Sequence, residues 1–151
     1  MKNNKKVIAI CTSGAFYKQA LEVEQQLIEL GYRVEIPSTA HRMKRSGDFK
    51  IETYKTWYDD PSHYHKKRAL MEEHFEKIVT SDAVLVLNYT KKGIEGYIGG
   101  NVLMEMAIAF HYKKPIFILN PIQDDLNIKE EVYGLGSIFV NNDLGEIEKN
   151  I

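Results

Sequence analysis

The sequence predicts an α/β protein built on an open, parallel five-stranded sheet flanked by helices. Short apolar runs rich in β-branched residues alternate with longer stretches of helical periodicity, a pattern typical of parallel sheets. The runs at 7–11 (VIAIC) and 82–88 (DAVLVLN) are apolar almost throughout, as expected for strands that are covered on both faces.

The first half of the chain contributes two predicted strands and two predicted helices. After the strand at 7–11, apolar residues recur at helical spacing over 16–30, and a glycine then suits the end of that helix. The more alternating run at 32–37 predicts the second strand. Residues 62–79 predict the second helix, with Ser62 as its N-cap.

The second half repeats the alternation and completes the sheet. The strand at 82–88 is followed by a third helix, for which Asn101 is the candidate cap. Residues 115–120 predict the fourth strand, 127–133 a short helix and 137–140 the fifth strand, before a helical tail. The arrangement is that of a Rossmann-like or flavodoxin-like fold.

The segment 38–61 shows no clear period, and loops of this length are usually functional or mobile. Its basic residues Arg42, Lys44, Arg45 and Lys50 either close over a phosphate or another anion, or form a solvated charged surface.

Composition excludes several classes of protein. The chain has 151 residues, which predicts a single domain over 1–151. A net charge of −1 gives no reason to expect nucleic acid or an anionic membrane as a partner. One cysteine excludes a disulfide framework within the chain, and the histidines show no compact metal-ligand spacing, so we expect neither a metal nor another cofactor. The apolar run at 7–11 is too short for a signal peptide or a membrane span, and the cytoplasm is the expected compartment.

Candidate ligand-binding residues follow the strands, because ligands of parallel sheets bind outside the carboxyl ends of the strands. Polar residues follow the first and third strands, and a Gly-Gly turn precedes the third helix, where backbone can approach a ligand without Cβ clashes. The predicted substrate-binding residues are Thr12, Ser13, Tyr17, Asn88, Gly96, Gly99, Gly100 and Asn101.

Two titratable residues lie inside apolar helical stripes. Glu105 is the one carboxylate in the stretch VLMEMAIAF, where an unpaired charge is expensive to bury. It is either a nucleophile or base, or a structural carboxylate bonded to a neighbouring loop. His74 lies between Met71 and Ile78 on one helix face, as a core histidine or as an acid/base group.

The motifs SDAVLVLN, GGNVLMEMAIAF and KKPIFILNP together resemble the nucleoside 2-deoxyribosyltransferase-like superfamily, which includes the deoxynucleoside 5′-monophosphate N-glycosidases. The resemblance runs over most of the chain, is strongest over 80–120, and is closest to a branch of short proteins sharing the pattern YIGGN-x-LMEM. The GGNVLME spacing is also similar to the turn and glutamate of cytokinin-activating phosphoribohydrolases, without their Gly-Thr.

The resemblance implies that Glu105 is the nucleophile that attacks the anomeric carbon of a nucleoside or nucleotide. His74 stands where the family has an aspartate that helps protonate the leaving base. Ser13 matches a phosphate-binding serine, but Ala15 replaces the accompanying arginine and Ala9 an expected tyrosine. The family also implies a homodimer or a higher homo-oligomer.

Two functions therefore remain open. One is cleavage or transfer at an N-glycosidic bond through a glycosyl-enzyme, as hydrolase or transferase. The other is a nucleotide-binding sensor on the same fold, catalytically silent because the aspartate is missing.

Overall fold

The centre of the fold is one parallel sheet, in the computed structural model that describes residues 4–151. Its strands are β1 (Val7–Thr12), β2 (Arg33–Glu35), β3 (Ala83–Leu87), β4 (Ile116–Ile118) and β5 (Ile138–Phe139). They pair in the order β2-β1-β3-β4-β5, the flavodoxin-like order. The predicted α/β fold class is confirmed.

Within the described part of the chain, six α-helices surround the sheet. They are α1 (Tyr17–Glu29), α2 (Ser38–Ser46), α3 (Ile51–Tyr54), α4 (Tyr64–Thr80), α5 (Gly100–His111) and α6 (Lys129–Gly134). No helix among residues 4–151 is long and apolar enough to cross a membrane.

The two faces of the sheet are covered by different helices, since successive side chains of a strand point to opposite faces. Ile8 and Ile10 of β1 belong to a core cluster that includes Leu27 of α1. Ala9 and Cys11 belong to the opposite cluster, which includes Ile78 of α4 together with Val102, Met106 and Ala109 of α5. The small side chains on this second face of β1 leave room for α4 and α5 to approach.

The chain changes direction between β1 and β3. From β1 it crosses to β2 on one side, and it then returns to place β3 on the other side of β1. The register pairs Thr12 with Leu87 at the carboxyl ends of these two strands. Such a switch point opens a crevice for a ligand.

The segment 38–61 is more ordered than its sequence predicts. It contains α2, α3 and a 3₁₀ turn over Thr56–Tyr58, and it packs through Met43 and Trp57, both buried. The apolar period is hard to detect because each piece is short and buries only one or a few side chains.

Two predicted helix caps are wrong, and so is the helical tail. His63 is the N-cap residue of α4, and Ser62 lies in the 3₁₀ turn ahead of it, where Asp60 accepts from the Ser62 backbone N–H. Gly99 is the N-cap residue of α5, and Asn101 lies within the first turn. The tail consists of two 3₁₀ turns, Leu144–Glu146 and Glu148–Asn150, rather than a helix.

Candidate active site

A pocket of about 560 Å³, including its open mouth, lies at the carboxyl end of β1. The starts of α1 and α2, the segment 51–57, one face of α4 and the start of α5 form its walls. The residues that line it are Thr12, Tyr17, Pro37, Ser38, Thr39, Ile51, Tyr54, Lys55, Trp57, Lys67, Leu70, Met71, Glu73, His74, Asn101 and Glu105.

The floor of this pocket is a buried carboxyl–imidazole pair. Oε2 of Glu105 lies 3.3 Å from Nε2 of His74, and their side chains are only 3% and 8% exposed. The pair exists because α4 and α5 pack side by side against the same face of the sheet, each presenting one titratable residue inside an apolar stripe. The fold thus brings the two predicted catalytic residues into contact. Sequence periodicity places each of them on the buried face of its own helix, but it gives no distance between the two helices.

A third group joins the pair from the sheet. Sγ of Cys11 lies 3.8 Å from the same Nε2 atom of His74, and Cys11 is fully buried. Nδ1 of His74 is buried and makes no hydrogen bond of ordinary geometry within residues 4–151. The imidazole therefore presents Nε2 to both Cys11 and Glu105.

Burial dominates the protonation of all three groups, because desolvation disfavours whichever form is charged. It raises the pKa of Glu105 to about 8, against a smaller opposing effect of the Lys67 ammonium. It lowers the pKa of His74 to about 4, helped by the charge of Lys77. Burial also raises the pKa of the Cys11 thiol well above its usual range. At neutral pH, a mostly protonated carboxyl group therefore faces a neutral imidazole.

The neutral pair can exchange one proton. Glu105 becomes an anionic nucleophile when its proton passes to Nε2 of His74, and the imidazolium then holds a proton for a leaving group. Desolvated carboxylates with shifted pKa values are typical of acid/base and nucleophilic sites, although structural networks produce such shifts as well.

The same cluster has donor atoms that suit a cation. One ligand atom each from Cys11, His74 and Glu105 lies within 4.8 Å of the others, and thiolate, imidazole and carboxylate are zinc ligands. The sequence contains no motif for this cluster because its members come from β1, α4 and α5.

Three of the predicted substrate-binding residues line the pocket beside the pair. Thr12 donates its hydroxyl proton to the Leu87 carbonyl at 2.6 Å, which ties the end of β1 to β3. Tyr17 lies at the start of α1, and burial together with the charge of Glu105 raises the pKa of its phenol. Asn101 accepts from Nζ of Lys67 at 3.1 Å.

The other predicted binding residues do not line the pocket. Asn88 instead joins two loops: its amide donates to the Asn120 carbonyl at 2.7 Å, and its side-chain oxygen accepts from the Asn120 backbone N–H at 2.9 Å. Gly96 has φ +67° and packs against the Pro121 and Ile122 backbone, with 2.9 Å left between an added Cβ and the Ile122 Cα. Gly96 therefore allows a close approach between two segments of the protein backbone, and not between backbone and ligand.

Ser13, Gly99 and Gly100 lie near the pocket without lining it. Ser13 is half-buried, and its hydroxyl oxygen lies 3.4 Å from Nζ of Lys91. Gly99 and Gly100 form the start of α5, where a Cβ on Gly99 would meet the Tyr97 side chain and one on Gly100 would meet nothing.

The basic residues predicted to reach an anion are elsewhere. Arg42, Lys44, Arg45 and Lys50 are exposed and do not line the pocket; Arg42 lies over the Tyr54 ring, 5.1 Å from its centroid. The solvated-surface alternative describes them better, because α2 turns its buried side, with Met43, towards the protein.

Lys55 and Lys67 provide the positive charge of the pocket instead, and the sequence reading did not single them out. A signal for Lys67 was available: residues 67, 70, 71 and 74 fall at helical spacing, so one face of α4 carries them all into the pocket. Lys55 and Trp57 had no comparable signal, because they lie in short, irregular elements.

Comparison with known proteins gives a likeness in fold. No protein-family profile and no curated protein sequence matches the chain. A solved structure of a 2-deoxyribosyltransferase from Bacillus psychrosaccharolyticus, a psychrotolerant bacterium, superposes with a TM-score of 0.59. The two are 15% identical, and the match covers 96% of this chain and 92% of that one. The neighbour is described as a biocatalyst for the synthesis of antiviral and antitumoral nucleosides.

Proposed function

We propose that this protein cleaves or transfers the N-glycosidic bond of a (deoxy)nucleoside or nucleotide, with Glu105 as the nucleophile. The observation that carries the proposal is the buried Glu105–His74 contact of 3.3 Å at the floor of a pocket at the carboxyl end of the sheet. The likeness to a 2-deoxyribosyltransferase fold and the resemblance of the motifs over 80–120 support the same reaction class.

The first step forms a bond between Glu105 and the sugar. Glu105 gives its proton to Nε2 of His74, and its carboxylate oxygen attacks the anomeric carbon. The C–N bond breaks, and the base leaves with the electron pair of that bond. The imidazolium proton of His74 is available to neutralise the departing base, which is the role that the family assigns to an aspartate.

The second step releases the sugar. Water or a second base attacks the anomeric carbon of the glycosyl-enzyme and gives its proton to Nε2 of the neutral His74, and the Glu105 carboxylate leaves. That proton then returns from His74 to Glu105, which restores the starting pair. Two displacements at one carbon retain its configuration. The nature of the second nucleophile decides between hydrolase and transferase, and both belong to this proposal.

The proposal extends to the state of the working protein. Residues 1–151 act as one nucleoside 2-deoxyribosyltransferase-like domain in the cytoplasm, and the resemblance implies a homodimer or higher homo-oligomer. The nucleoside or nucleotide is the small-molecule partner.

A second candidate is a nucleotide-binding sensor without turnover. It is favoured by one observation: burial keeps Glu105 mostly protonated at neutral pH, and a carboxylic acid is not a nucleophile. In that case His74, in place of an aspartate, explains the loss of activity.

The test is base release from a panel of ribo- and deoxyribonucleosides and their 5′-monophosphates, followed by chromatography. Wild type and Glu105→Ala are compared with and without an acceptor base. Release by wild type alone, with a sugar adduct on Glu105 in the intact-protein mass spectrum, supports the enzyme. Acceptor dependence identifies a transferase. Binding of a panel member without release from any of them favours the sensor and contradicts the enzyme.

A further inference from the structure

Two lysines in the pocket wall have no anionic partner. Among residues 4–151, neither Lys55 nor Lys67 forms an ion pair with a carboxylate. Lys67 is bonded to the neutral Asn101 side chain at 3.1 Å, and its Nζ lies 5.8 Å from the centre of the buried Trp57 ring. Partial burial lowers the pKa of Lys67, and the positive charge of Lys55 lowers it further. The fold thus holds like charges close together and partly out of water.

The carboxyl groups of the pocket do not balance these lysines. Glu73 forms an ion pair with Lys77 at 3.3 Å, so it is not the partner of Lys55 or Lys67. Glu105 is mostly protonated at neutral pH because of its burial, and His74 is neutral. The wall around Lys55 and Lys67 therefore carries net positive charge when no ligand is bound.

The amino-terminal end of α2 adds hydrogen-bond donors to the same wall. Ser38 and Thr39 line the pocket in the first turn of α2, whose start has no side-chain cap. First-turn N–H groups have no partner within a helix, and they favour anions. Thr39 is only 5% exposed, and its hydroxyl makes no hydrogen bond with any of residues 4–151.

We propose that this wall binds a phosphate monoester, held by Lys55, Lys67 and the first turn of α2 with the Thr39 hydroxyl. The inference rests on the proposed function and narrows its substrate class to nucleoside monophosphates over free nucleosides. It places the phosphate on lysines of the segment 51–57 and of α4, and not on the basic residues of α2. A phosphate offers several strong acceptors, which match ammonium and helix N–H donors.

The test measures binding apart from turnover, by titration calorimetry in the Glu105→Gln background. The probes are the common deoxynucleosides, their 5′- and 3′-monophosphates, and inorganic phosphate. Lys55→Met and Lys67→Met keep the length of the side chain and remove its charge. Lys66→Met is the matched control, because Lys66 is the exposed neighbour of Lys67 on α4 and does not line the pocket.

We expect a monophosphate to bind about tenfold or more tightly than its nucleoside, since one charge-assisted hydrogen bond contributes an effect of that size. Each lysine variant should remove most of this preference and leave nucleoside affinity nearly unchanged, while Lys66→Met retains it. The preference should also shrink as salt is raised, because Lys55 and Lys67 are only partly buried. Comparison of the 5′ and 3′ esters shows which position of the sugar carries the phosphate. Binding of inorganic phosphate without binding of any monophosphate would identify a site for the free anion and would contradict the proposal.

Equal affinity for nucleosides and monophosphates, or lysine variants that weaken both alike, would overturn the phosphate site. Failure of every monophosphate to bind would do so as well. Far-ultraviolet circular dichroism checks that each variant is folded. If a lysine variant does not fold, the dependence of monophosphate affinity on salt still tests the site, because it is measured on the Glu105→Gln protein with both lysines present. Lysine-dependent binding of monophosphates without base release by wild type supports the phosphate site and contradicts the proposed catalysis. Base release by wild type with no preference for monophosphates supports the proposed catalysis and contradicts the phosphate site.

Discussion

Residues 4–151 contain two histidine–glutamate pairs of similar geometry in different surroundings. His41 and Glu24 join α2 to α1, with Nε2 and Oε2 3.0 Å apart, and their side chains are 46% and 11% exposed. His74 and Glu105 join α4 to α5 at 3.3 Å, with 8% and 3% exposed. Water reaches the imidazole of the first pair and is nearly excluded from the second.

The difference shows that burial, and not the identity of the residues, makes a candidate site. An exposed ion pair contributes little to stability, because solvent screens it and holding the side chains costs entropy. In the buried pair, desolvation moves the two pKa values in opposite directions and favours the neutral forms. The first pair is therefore a built-in control for the second.

The largest expected difference between the pairs is in turnover. Glu105→Gln should lower the rate of base release by about 10⁴-fold or more, the usual cost of removing a nucleophile. Glu24→Gln should leave the rate within about twofold, because Glu24 lies outside the pocket. The measurement is the initial rate on the best substrate of the panel. If Glu105→Gln and Glu24→Gln lowered the rate of base release by similar factors, the special role of the buried pair would be contradicted.

The histidines should differ less strongly. His74→Gln should lower kcat by about 10²-fold or more, the usual size of general acid/base catalysis. His41→Gln should have no such effect. The kcat/KM of wild type should fall as pH rises through the pKa of Glu105, about 8, because loss of the proton that Glu105 passes to His74 leaves none for the departing base. A rate that is independent of pH from 6 to 9 would contradict the assignment of Glu105.

The buried pair should also shape the dependence of stability on pH. Folding raises the pKa of Glu105 from 4.5 to about 8, so the native state keeps a proton that the unfolded chain releases. Its contribution therefore falls as pH rises through that range. Folding lowers the pKa of His74 from 6.5 to about 4, so its contribution rises with pH over that interval. The slopes of the two contributions oppose each other between pH 4.5 and 6.5, and Glu105 acts alone from 6.5 to 8.

Glu105→Gln should therefore raise the free energy of unfolding at pH 7 by an amount on the order of 3 kcal/mol. It should also flatten the dependence of that free energy on pH between 6.5 and 8. Glu24→Gln should not stabilise it. Denaturant unfolding at several pH values measures both variants. An unchanged slope in Glu105→Gln would show that the carboxyl is ionised in the native state.

The smallest effect belongs to the His41–Glu24 pair, whose imidazole is exposed. A double-mutant cycle on His41 and Glu24 should give a coupling free energy of about 0.2–1 kcal/mol at pH 6, decreasing with added salt. The matching cycle on His74 and Glu105 should be less sensitive to salt, because the pair is buried. A salt-sensitive coupling in the buried pair would mean that water enters the pocket floor.

The sequence by itself determined the fold class and the two central residues. The apolar runs at 7–11 and 82–88 are too uniform for half-exposed strands, and alternation with helical periods leaves a parallel sheet as the consistent solution. Glu105 and His74 are each detectable because one polar residue interrupts an apolar stripe, which is a local property of one helix.

Only the tertiary structure decided what surrounds those residues. Cys11 and His74 are 63 positions apart and meet because β1 and α4 share one face of the sheet. Lys55 and Thr39 reach the pocket from short elements, whereas the exposed basic residues of α2 do not. Periodicity reports which side of an element is buried, whereas desolvation and charge balance depend on atoms from several elements packed together. The composition of the pocket, and with it the protonation of Glu105, is thus a property of the packing.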